Sequence, residues 1–251
     1  MILAIALSLL AAAQSASAPA TPRGSKDGRR FESDWTIEAT AAPAGVRTVK
    51  PMDYLFRQRL LPPSLARLKT DVVDAKSGKL LAAAGAQLFG LTSFGEPLFC
   101  ASSTSLRYHC FADMNRDGTL DGHFRAGSQT KALPNLFGTR PTSPDAVRGG
   151  SYELIEPKQI EAGYFAGLLY SATVRTRGEE RPVFAVMFGR DGNTQSLSSG
   201  LSPTAGTDPP RVEFLGAEVL ITGNGAGTLD VEVRSNFAER KFGVVRSFIR
   251  Y

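Results

Sequence analysis

The chain has 251 residues, 42% of them apolar and 21% charged, which is the balance of an ordinary globular protein. Its net charge of +5 is spread thinly, with no dense Lys/Arg run, so nucleic acid is not an expected partner. Beyond the first residues no apolar stretch is long enough to cross a bilayer as a helix, so no transmembrane helix is expected in the mature chain.

The sequence opens MILAIALSLLAAAQSASA. The apolar run Ile2–Ala13 would reach only about 18 Å as a helix, short of the roughly 30 Å of a bilayer core. It ends in the small residues Ala16-Ser17-Ala18, an A-x-A site. This is the pattern of a cleavable secretory signal over residues 1–18. No Lys or Arg precedes the run, and Pro19 would follow the cleaved bond, so cleavage after Ala20 is the alternative. The expected destination is the periplasm, the cell surface or the extracellular space. Residues 19–34 are polar, charged and Pro/Gly-containing, and are expected to form a flexible leader.

A β-rich globular domain is expected over residues 35–251, beginning with a strand at Trp35–Ile37. Asp53–Leu61 places apolar residues at helical spacing and is stopped by Pro62-Pro63, which predicts a short helix with Arg57 and Arg59 on a solvated face. A second helical turn is expected at Ser64–Lys69. From Asp71 onward the pattern is strand-like. DVVDAKSGKLLAAA reads as strand, turn and strand around Ser77-Gly78. Leu168, Tyr170, Ala172 and Val174 alternate along a half-buried strand, and Val183–Phe188 reads as a central one. EVLITGNGAGTLDVEV is the clearest hairpin, with Leu229, Val231 and Val233 on one face. Phe242–Ile249 reads as a final strand. Pro-rich connectors lie at 133–145 and 201–211, and the first offers a subdomain break near 133–146. The fold class expected is mainly β: an antiparallel sandwich or partly open barrel, with one or two short N-terminal helices.

Cys100 and Cys110 are the two cysteines. An even count in an exported chain favours a disulfide, here between two strands flanking the polar stretch Ser102–Ser105.

Directly after Cys110 comes FADMNRDGTLDGHF. Asp113, Asn115 and Asp117 alternate, Gly118 follows, and Asp121 lies four residues after Asp117. The segment resembles the first part of an EF-hand calcium loop, D-x-[DN]-x-[DN]-G. Ca²⁺ takes six to eight oxygens, and acidic side chains at alternate positions of a tight loop converge on one point. The resemblance implies Asp113, Asn115 and Asp117 as side-chain ligands, Thr119 through its carbonyl, and Asp121 directly or through water. Leu120 stands where such loops anchor to the core. The pattern departs at its twelfth position, where Phe124 replaces the bidentate Glu, and the flanks read as strands rather than helices. A further carboxylate would have to come from Asp145 or Glu153. The expected ion is weakly bound and structural. The competing reading is a plain hairpin turn at Asp117-Gly118.

Patterns of catalysis are sparse. His109 and His123 are the two histidines, and neither H-E-x-x-H nor H-x-H occurs. His123 beside the acidic loop reads as a metal ligand or, more simply, an exposed polar strand residue. G-x-S-x-G is absent. Ser128 and Lys131 match S-x-x-K without a following K-T-G, and GNGAG at 223–227 reads as a hairpin tip. The function expected is a binding or scaffolding role for an unknown envelope component or ligand. A hydrolase using scattered carboxylates is the first alternative. An outer-membrane barrel ending at Tyr251 is the second, although regular alternating segments are missing.

Overall fold

The computed structural model describes residues 29–176, 179–204, 206–225 and 227–242. The expected signal peptide lies outside them, as does the expected final strand beyond Phe242. Among the described residues there is no α-helix and every strand pairing is antiparallel.

Strands are numbered in chain order. The largest sheet holds β1 (Arg30–Glu32), β5 (Leu65–Leu68), β6 (Val72–Asp74), β7 (Leu80–Ala82), β8 (Gln87–Ser93) and β9 (Leu98–Ala101). It continues with β10 (Arg107–Ala112), β11 (Gly122–Gly127), β12 (Phe137–Thr139), β13 (Asp145–Gly149) and β14 (Tyr152–Ile155). Its main path runs β12-β1-β8-β9-β10-β11-β13-β6-β7, with β5 and β14 attached beside β8. A second sheet orders β17 (Asn193–Leu201), β16 (Glu179–Arg190), β15 (Phe165–Thr176), β4 (Tyr54–Leu61), β2 (Trp35–Ile37) and β21 (Lys241–Phe242). The third orders β18 (Arg211–Phe214), β19 (Ala217–Gly225), β20 (Thr228–Ser235) and β3 (Val46–Val49).

Alternation along the strands builds two cores on opposite faces of the largest sheet. Leu65, Phe89, Cys100 and Cys110 point into the larger core, which Trp35, Phe56, Tyr170, Phe184, Val219 and Val231 share from the other two sheets. Their neighbours Ala66, Leu88, Phe99 and Phe111 point the other way, into a smaller core with Leu68, Val72 and Leu120. The largest sheet therefore curls round its own second face. Gly149 and Gly150 carry the chain from β13 to β14 at positive φ, 77° and 80°. A Cβ on Gly149 would sit 2.1 Å from the Asp71 carbonyl oxygen, so only glycine fits there. The sandwich and the partly open barrel are thus both present: a half-barrel sheet curled round the smaller core, with two further sheets against its other face.

Three expectations are corrected. Asp53–Leu61 is not helical: Tyr54–Leu61 is strand β4, with Phe56, Gln58 and Leu60 inward and Arg57 and Arg59 outward. Gln58 disguises the alternation, because a polar residue stands at a core position. Its side-chain amide donates to the Glu38 and Phe237 carbonyls and accepts the Phe237 N–H, so the burial is fully compensated. The turn expected at Ser64–Lys69 is β5, held between β8 and β14. The leader is ordered from its last part: Arg30–Glu32 form β1, because Phe31 is buried against Phe124. The connector near 133–146 supplies β12 and buries Leu133 and Leu136 in the larger core.

Candidate functional site

The acidic residues fall in the turn between β10 and β11, next to the Cys100–Cys110 disulfide, whose cysteines are directly paired across β9 and β10. Asp113 leaves β10 on the face of the smaller core and is only 1% exposed. Its Oδ1 accepts the Asp117 N–H at 3.1 Å; its Oδ2 accepts the Gly118 N–H at 3.1 Å and the Tyr152 hydroxyl at 2.8 Å. Asn115 Oδ1 approaches the same Asp117 N–H at 3.1 Å, while its Nδ2 donates to Asp117 Oδ2 at 2.9 Å. Asp117 Oδ1 accepts the Thr119 N–H at 2.8 Å. Asp121 folds back, its Oδ2 accepting the N–H of Met114 at 2.8 Å and of Asn115 at 3.4 Å.

The structure thus brings Asp113, Asn115 and Asp117 together and turns Asp121 onto the start of the same loop. Gly118 has φ 82°, as the sharp bend requires, and Leu120 is buried in the smaller core as its anchor. Thr119 bridges Ser151. Phe124 at the twelfth position is buried in the larger core and cannot serve. Glu153 pairs with Lys69 at 3.5 Å, and Asp145 faces His123 across β13 and β11. Among the described residues no three carboxylate, imidazole or thiolate side chains stand ready around one metal position. The loop carboxylates instead accept hydrogen bonds from backbone N–H groups. Tyr152 holds the arrangement from β14; burial, and then its bond to Asp113, push its phenol well above the ordinary value.

Beside the loop, His123 is 5% exposed, a correction to the exposed strand residue expected. The hairpin register pairs His123 with Phe111 and His109 with Arg125, which puts both imidazoles on one face. His109 Nδ1 and His123 Nε2 are 2.8 Å apart. The ring centroids are 4.9 Å apart with planes at 21°, so the rings lie nearly parallel and are joined by one N–H···N hydrogen bond whose direction follows the tautomer. His123 Nδ1 is buried without a hydrogen bond and sits 4.0 Å from Asp145 Oδ2. Burial lowers both imidazole pKa values below 6.5; Arg125 and Lys79 add to it at His109, and His109 adds to it at His123, where Asp145 and Asp74 oppose. The pair lines a cleft of about 490 Å³ with Lys79, Arg125, Ser143 and Asp145.

Ser128, singled out with Lys131, uses its hydroxyl within its own turn, donating to Thr130 O and accepting the Asn135 N–H. Sequence reasoning missed Tyr152 and the partnership of His109. The second was not readable from the Asp117-Gly118 turn signal, since a two-residue turn there would put residues 109 and 123 on opposite faces; the observed register is centred on Asp117 and puts them on one. For Tyr152 no local signal exists. In comparisons with known proteins, no family model, curated protein or solved structure matches this chain.

Proposed function

We propose that this is an exported protein with a binding or scaffolding role, in which the β10–β11 loop takes a structural calcium ion. What supports the ion is the approach of Asp113 Oδ1 and Asn115 Oδ1 to one N–H, that of Asp117, at 3.1 Å each. Oxygens from alternate residues therefore converge, which a cation needing six to eight oxygens demands. Asp113, Asn115 and Asp117 would hold the ion with the Thr119 carbonyl and Asp121. It would supply positive charge among three carboxylates and tie β10 to β11 beside the disulfide. Export is supported by the disulfide itself and by the signal-like opening. The neighbouring cleft is the recess in which a ligand would sit.

Thermal melts in millimolar Ca²⁺ and in chelator test this, with Asp117→Ala alongside. Asp117 is exposed, so its loss removes a ligand without opening the core. At ten times Kd, binding adds about 1.4 kcal/mol, a shift of a few degrees. Coincident curves in the two buffers would leave the acidic run a hairpin turn and nothing more.

One observation favours a second reading, an exported hydrolase. The Asp145 carboxylate beside His123 Nδ1 favours the proton there. His123 Nε2 then accepts from His109 Nδ1, and His109 Nε2 is left as a base facing the cleft. Ester, peptide and glycoside substrates screened with the intact protein and with His109→Gln test it: turnover lost in the variant supports the reading, and no turnover in either removes it.

A further inference from the structure

Arg47 on β3 lies opposite Val231 of β20, which is fully buried, so its side chain shares the core face of that sheet. The guanidinium lines a crevice of about 240 Å³ between β3 and β4 with Tyr54, Phe56, Arg57 and Asn236. Its Nε and Nη2, the edge that grips a carboxylate or phosphate side-on, are buried without a hydrogen bond. Asn236, 8% exposed, contributes a third such atom, Oδ1. The amide orientation is fixed, because Nδ2 donates to the Thr40 carbonyl, the Thr40 hydroxyl and the Ala41 carbonyl.

No acidic side chain among the described residues lines the crevice; Asp53, outside the lining, is near enough to favour the Arg47 charge. Arg57 adds a second cation, held by an ion pair with Asp191 and by the Phe165 ring 3.5 Å beneath its guanidinium. β3 is an edge strand, and an inward charge there discourages pairing with another chain. Edge protection, however, does not require the unpartnered Asn236 oxygen. An unpaired donor fork on Arg47 and an unpaired acceptor on Asn236 call for a ligand with negative charge and a hydrogen-bond donor of its own.

We propose that this crevice binds a small organic oxyanion, a carboxylate or phosphate carrying a hydroxyl or N–H group. Arg47 Nε and Nη2 grip the anion, and Asn236 Oδ1 accepts from the donor group. The half-buried Arg47 turns its fork to the ligand by a change of rotamer. The crevice is smaller than the ~300–1,000 Å³ of pockets for larger ligands, which restricts the ligand to a few heavy atoms.

The test compares melts of the intact, disulfide-bonded protein in chloride, phosphate, acetate and 2-hydroxypropionate at matched ionic strength, beside Arg47→Met. Phosphate stabilises proteins generally, so the difference between the two proteins is what counts. The expected result is a rise of a few degrees in the parent that the variant lacks, larger for 2-hydroxypropionate than for acetate. The order of phosphate and 2-hydroxypropionate identifies the oxyanion. In chloride the variant is expected to melt close to the parent, because Nε and Nη2 of Arg47 make no hydrogen bond that the substitution could remove. Should the variant fail to fold, the Arg47 Nε–H resonance of the parent replaces it and is expected to shift to saturation. Equal responses in the two proteins, or an unmoved Nε–H resonance, overturn the proposal.

Discussion

At the scale of single residues, Asp113 organises the loop. One buried carboxylate accepts from two backbone N–H groups and from Tyr152. Tyr152→Phe removes a hydrogen bond to a charged acceptor, and urea titration is expected to show a loss of about 1.5–3 kcal/mol. The histidine pair makes a pH prediction. Burial holds both folded pKa values below 6.5, so between those values and 6.5 the unfolded chain binds more protons than the folded one. Stability is full above 6.5 and falls as the pH drops through that window. Melts from neutral pH downward are expected to show the fall, and His123→Gln to flatten it. At this scale the sequence was informative where partners are near. The alternation of Asp113, Asn115 and Asp117 and the anchor Leu120 are local and legible. Tyr152 stands 39 positions after Asp113 and is brought in only by the curl of the sheet, which no local pattern encodes.

At the scale of elements, the hairpins were the legible part. In β20 polar and apolar residues alternate, and Leu229, Val231 and Val233 are all buried. β4 was not legible, because Gln58 replaces an apolar residue at an inward position and the remaining pattern mimics a helix. Tertiary contacts decide such a segment: β15 pairs along it from one side and β2 from the other. The disulfide gives this scale its prediction. Cys100 and Cys110 close a short loop, with a sequence separation of 10, and pair β9 to β10 beneath the acidic turn. Replacing both by Ala is expected to cost about 2.5–3 kcal/mol by denaturant titration.

At the scale of the molecule, the largest sheet contributes to both cores, so neither core is closed without it. Trp35, the single tryptophan, is buried in the larger core against Phe89 and Tyr164, whereas the β signal in circular dichroism reports all three sheets. If the shared sheet couples the cores, denaturant curves by tryptophan fluorescence and by circular dichroism coincide; separated midpoints would show that the cores melt apart. A mainly β antiparallel architecture was legible from strand length and glycine spacing. The curl was not, since it turns at Gly149 and Gly150, between two short strands that no pattern in the sequence announced.

The central claim is that the β10–β11 loop binds calcium. The most direct measurement is a Ca²⁺ titration of the mature, disulfide-bonded protein followed by backbone amide resonances. A single saturating set of shifts is expected, centred on the N–H groups of Asp117, Gly118 and Thr119, which the loop side chains now hold. Its midpoint is expected in the ~10⁻⁴–10⁻³ M range of extracellular modules, and Asp117→Ala is expected to abolish it. Resonances that stay fixed through tens of millimolar Ca²⁺, well above that range, would contradict the claim and leave the carboxylates as turn-forming groups satisfied by the backbone alone.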